Sequence, residues 1–167
     1  MLRQILLFGL LPLALVTSAR AHLPTECTTV ARLQHGRLEV CVTMSPEMAA
    51  TLLNPGPAGE RLDAASFARL QPRLLAATGG LFEVSAAGQT LVPQRTAVSL
   101  NKSGEPEFML IFPAPPGWPL RFRASFLGRL PEGGGFETSL DVFDETEKLL
   151  GSKLLTGRGT EDLLVGR

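Results

Sequence analysis

Alternation of apolar and polar residues, punctuated by turn-forming residues, constrains this chain more than any other feature. Leu38, Val40, Val42 and Met44 alternate with Glu39, Cys41 and Thr43, and Leu120, Phe122, Ala124 and Phe126 alternate with Arg121, Arg123 and Ser125. A period of two sends one set of side chains into a core and the other toward water, which describes a half-buried β-strand. Residues 26–33 read as the partner of 37–44 across a two-residue turn, His35-Gly36. Further strands are expected at 81–86, at 90–100 with a break at Pro93, and at 107–112, 120–126, 136–143 and 148–155.

One helical insert interrupts the strands. Ser45 is suited to cap a helix that starts at Pro46 and ends near Leu53, before Asn54-Pro55-Gly56-Pro57. Asp63 caps a second helix with an apolar stripe of Phe67, Leu70 and Leu74; Pro72 predicts a kink or a restart, and Gly79-Gly80 ends it. Regular strands with one insert predict a mainly β fold, an antiparallel immunoglobulin-like β-sandwich.

The first 21 residues read as an address. Arg3 supplies a positive start, an apolar run follows from Ile5 to Val16, and Ala19-Arg20-Ala21 has the small-residue pattern of a signal-peptide cleavage site. Cleavage there leaves residues 22–167 as one domain, with His22 first, in the periplasm or outside the cell. Loss of Arg3 and Arg20 turns sixteen basic residues into fourteen against sixteen acidic ones, a charge near −2. That balance argues against nucleic acid as a partner. No later apolar run approaches the roughly 20 residues of a membrane helix, so no membrane span is expected after cleavage.

An exported chain with two cysteines, Cys27 and Cys41, predicts a disulfide worth about 3 kcal/mol in the chain-entropy model. The hairpin register opposes this. It sets Cys41 against Val30 and Cys27 against Met44, on different faces, and a bulge or longer turn would be needed to bring the sulfurs together. Two buried thiols are the competing reading.

Catalytic signals are sparse. The two histidines are His22 and His35, and neither adjoins a nucleophile motif. Glu137, Asp141 and Asp144 could supply a carboxylate pair, but Glu137 and Asp141 are expected on an outward strand face, paired with Arg121 or Arg123. No cofactor is expected. Asp144, Glu145 and Glu147 offer oxygen ligands for calcium, but an acidic strand-to-strand turn is usually just solvated, and that is the stronger reading. Residues 54–65 place Gly56, Ala58 and Ala65 at positions where a calcium loop needs ligands, which excludes one there. A mature terminus at His22 offers amine and imidazole together to copper(II), with His35 as the further ligand. Trp118, the only tryptophan, stands between Pro116 and Pro119 and is either a partner contact or a cover over one end of the core.

Several of these features coincide with one family. Ala21-His22-Leu23, the opening strand pair, the proline-containing helix at 63–77, Gly80-Leu81-Phe82-Glu83-Val84 and the Gly88 turn resemble the extracytoplasmic amino-terminal domain of HupE/UreJ-type membrane proteins. The resemblance implies a β-sandwich that precedes a permease-like membrane domain. This sequence ends where such helices would begin and lacks the Asp-rich loop of some relatives. The resemblance therefore implies a free-standing sensor or accessory domain and transfers no catalytic residue; with the sparse catalytic signals, the expectation is a non-catalytic exported β-sandwich that binds an envelope or membrane protein.

Overall fold

A computed structural model describes residues 25–54, 62–157 and 161–166. Strands β1 (Glu26–Gln34) and β2 (Arg37–Met44) form a hairpin. Helices α1 (Pro46–Leu53) and α2 (Ala64–Thr78) follow. Then come β3 (Glu83–Ala86), β4 (Gln89–Leu91), β5 (Arg95–Leu100), β6 (Pro106–Pro113) and β7 (Leu120–Arg123). A 3-10 helix at Ser125–Arg129 leads to β8 (Glu137–Phe143), β9 (Leu149–Thr156) and β10 (Asp162–Val165).

Among the described residues the strands form two sheets. One has six strands in the order β5-β6-β2-β1-β8-β9, the other four in the order β10-β7-β3-β4. The mainly β two-sheet fold with a helical insert is the one the alternation predicts, with one departure from an antiparallel arrangement: β1 and β8 run parallel.

Each inner face is the apolar half of an alternating strand. Leu38, Val40 and Val42 of β2, Phe108, Leu110 and Phe112 of β6, and Leu140 and Val142 of β8 face Val84, Leu120, Phe122 and Val165 of the second sheet in one core. The β1–β2 register is the expected one, Leu33 against Leu38 through to Cys27 against Met44. His35 (φ 51°) and Gly36 (φ 68°) form its turn, the left-handed pair that matches hairpin twist. Ala87 and Gly88 repeat that geometry between β3 and β4.

Both caps are where the sequence puts them. The Ser45 hydroxyl accepts from the Met48 amide, and the Asp63 carboxylate accepts from the Ser66 amide while the Ser66 hydroxyl accepts from the Asp63 amide. The helix at α2 does not restart at Pro72. Pro72 and Ala68, the residue whose carbonyl it leaves without a donor, both face water, while Leu70 and Leu74 anchor the opposite side in the core. The Gln71 amide reaches the Val98 carbonyl, so α2 also covers the open edge of β5.

Two strand boundaries depart from the pattern. The alternation at 120–126 stops being a strand at Arg123, because the Phe126 amide turns to the Leu81 carbonyl and the Ser125 hydroxyl to the Gly80 and Leu81 carbonyls. Ala124 and Phe126 stay buried all the same. The break at Pro93 separates β4 from β5, and the two halves belong to different sheets.

Phe108 is fully buried and Leu164 stands mostly exposed on the outer side of β10. Phe108→Ala should lower unfolding stability by about 3–5 kcal/mol, and Leu164→Ala should change it by about 0.5 kcal/mol or less. Urea denaturation measures both, and equal losses would contradict this core.

Candidate functional site

The parallel pairing of β1 with β8 sends the turns that follow them to the same end of the sandwich. There Leu33, Trp118 and Leu150 form the floor of an open groove enclosing about 400 Å³. Three loops wall it: the β1–β2 turn with Arg37, the β6–β7 connection with Ala114 and Pro115, and the β8–β9 turn with Glu145 and Thr146. The β6–β7 connection carries the chain from one sheet to the other. It is pinned where the Ala87 amide donates to the Pro119 carbonyl at 3.1 Å.

Trp118 covers one end of the core and keeps part of its ring at the surface. It is half-buried against the core and also lines the groove. A second groove, at the opposite end, is bordered by Gly133, Gly134 and Phe136. It encloses about 430 Å³, and the Phe136 ring is folded onto Gly134, where a Cβ would lie 2.2 Å from it.

Asp144 shapes the β8–β9 wall. Its Oδ1 accepts from the Thr146 hydroxyl at 2.7 Å, the Thr146 amide at 2.8 Å and the Lys148 amide at 3.0 Å. These bonds, the Thr146 hydroxyl first, hold its carboxyl below the ordinary carboxylate value. Asp144 therefore serves as the organiser of a turn, and its oxygen is already saturated with donors. Glu147, at φ 60°, pairs with Arg32 at 3.4 Å, and Arg32 lies over the Phe143 ring. Among the described residues no group of three or more His, Cys, Asp or Glu side chains could hold a metal ion.

The other expected sites are not brought together. His35 is exposed at the hairpin tip, about 30 Å along β1 from that strand's start by the rise of an extended chain. His22 and the signal-peptide residues lie outside the described residues, as does most of the 54–65 loop. Glu137 and Asp141 sit four residues apart on β8, about 13 Å along the strand, wider than the spacing glycosidases use. Their expected partners are elsewhere. Arg121 and Arg123 belong to the other sheet and pair with Asp162 and Glu83.

The disulfide does not form. Cys27 and Cys41 are unbonded, and the hairpin register puts Cys41 opposite Val30, three residues along and on the other face. Their Cα atoms are separated by about 11 Å on strand geometry, beyond the span of a disulfide. Cys27 points into the core at 5% exposure, and burial raises its pKa to about 12. Cys41 is half-buried on the outer face, donates to Glu107 Oε1 at 3.8 Å, and is raised to about 11 by burial and by that carboxylate.

No protein-family model matches the chain, and no curated protein matches it in sequence. Among the described residues no helix is long and apolar enough to cross a membrane.

Two measurements check this geometry. Thiol titration should give two free thiols per chain after denaturation without reductant; in the native state Cys41 should react slowly and Cys27 more slowly still. The Asp144 turn should hold above the ordinary carboxylate range and loosen as pH falls through the depressed folded value. Amide chemical shifts of Thr146 and Lys148 should follow that loss. Asp144→Asn, which keeps the acceptor without the charge, should flatten the pH response, and a turn unmoved by Asp144→Ala would refute the assignment.

Proposed function

We propose that this chain is exported and that its folded part is a non-catalytic contact module for an envelope or membrane protein, the role implied by the resemblance to the amino-terminal domain of HupE/UreJ-type membrane proteins. The observation that supports this reading most is the groove at the shared end of β1 and β8. It sets a half-buried tryptophan between three loops anchored on two sheets. Aromatic anchors held in place by a rigid scaffold lose little entropy on binding and contribute most where water is excluded. Export is supported by the leader at 1–21, with its basic start, apolar centre and Ala19-Arg20-Ala21 site.

A photo-crosslinking side chain at Ala114, exposed on the groove wall, tests the reading in intact cells. The exported protein should begin at His22 by mass spectrometry and give one discrete adduct with an envelope protein. Trp118→Ala should remove that adduct and lower stability by about 2 kcal/mol, since half of a large side chain is buried. An intact Met1 form in the soluble fraction would overturn export. An adduct that survives Trp118→Ala, or arises only from the outer sheet face at Ser139, would overturn the groove as the contact surface.

A further inference from the structure

The groove's rim has a charge balance that specifies more than an apolar contact. Arg37 is taken by Glu39, whose carboxylate is only 16% exposed and also accepts from the Gln34 amide. Asp144 commits its Oδ1 to the donors of its own turn and has the Lys148 charge beside it, and Glu147 is paired with Arg32. Glu145 remains. Its side chain is exposed on the groove wall and has no hydrogen bond or ion pair among the described residues. The unmatched elements of the site are thus one negative charge, one indole and an aliphatic floor of Leu33 and Leu150.

Resting on the contact-module reading, we propose that the groove takes a short extended segment of a partner protein in which an aliphatic side chain covers Trp118 and a neighbouring lysine or arginine pairs with Glu145. The carboxylate attracts a cation, while the indole and the aliphatic floor favour an apolar side chain, so the site selects the two in adjacent positions. An acidic segment would face Glu145 with no free arginine to meet it. At about 400 Å³ the groove is at the small end of binding-site volumes and suits a few side chains of an extended chain.

Trp118 is the only tryptophan in the chain, so its fluorescence reports on this groove alone. The probes are Gly-Ser host peptides carrying Leu-Arg, Leu-Glu or Ser-Arg, titrated into the exported protein. Leu-Arg should shift Trp118 emission and bind about two- to fivefold tighter than Leu-Glu, the size of effect one exposed charge pair supplies. Added salt should narrow the difference. Glu145→Gln should erase the preference and Glu145→Lys should reverse it, with thermal melting unchanged in both because Glu145 has no partner to lose. Equal binding of Leu-Arg and Leu-Glu, or an unaltered preference in Glu145→Lys, would overturn the proposal. So would a full response to Ser-Arg or to tetramethylammonium, which would assign the site to a small cation. If none of the peptides shifts the emission while the Ala114 adduct persists, the segment chemistry fails and the contact module stands. Loss of both removes the two readings together.

Discussion

The parallel pairing of β1 with β8 is the constraint on which the remaining architecture depends. It joins Glu26 through Arg32 to Glu137 through Phe143, across more than a hundred residues of sequence. On the core side the two strands share a buried hydrogen bond between the Thr29 and Thr138 hydroxyls at 2.8 Å, so neither polar group is left unmatched. Two hairpins, β1–β2 and β8–β9, thereby become one sheet. Because the shared strands run in the same direction, the turns that leave them emerge at one end. An antiparallel pairing would have put His35-Gly36 and the 144–147 turn at opposite ends, and the groove would have had two walls instead of three. The groove is therefore a consequence of strand direction, before any side chain in it is considered.

The second sheet closes the core through connections that cross between layers. The chain leaves β4 at Leu91 and enters β5 at Arg95, with Pro93 between them, where a missing backbone donor costs nothing because no ladder continues. It returns through residues 114–119. At the other edge β10 is held by Asp162, which accepts from Arg123 Nε at 2.7 Å and from Arg123 Nη2 at 3.2 Å, with Arg121 alongside. Burial of Leu163 and Val165 completes that edge, and Gly151 of β9 lets Val165 approach closely.

What the sequence disclosed was local. The hairpin turn, both helix caps, the stripe of α2 and the inward set of β2 follow from period and turn chemistry within a few residues, and all are present. What it concealed was pairing at a distance. Nothing local indicates that β8 lies beside β1, that the halves of 90–100 part to different sheets, or that Arg121 and Arg123 meet Asp162 and Glu83 instead of Glu137 and Asp141. Asp162–Val165 is too short for alternation to mark as a strand. Trp118 and Glu145 were visible as residues, but the groove between them required three loops far apart in sequence. The cysteine conflict is instructive: composition favoured a bridge and the register opposed it, and geometry prevailed because a one-residue change of register would turn a whole apolar face to water.

Unbridged cysteines are compatible with export when neither thiol can act. Disulfide exchange proceeds through the thiolate, so its rate follows the fraction ionised and the access of an oxidant. With Cys41 raised to about 11, the ionised fraction near neutral pH is on the order of one in ten thousand. Cys27 is higher still and enclosed by the core. Glu107 adds to the protection of Cys41, since its carboxylate repels the thiolate that oxidation would require. The register that parts the two sulfurs, together with burial and the Glu107 carboxylate, thus opposes oxidation of either. The stability of the sandwich rests on the apolar faces of the two sheets, where a disulfide-dependent domain would rely on its bridge.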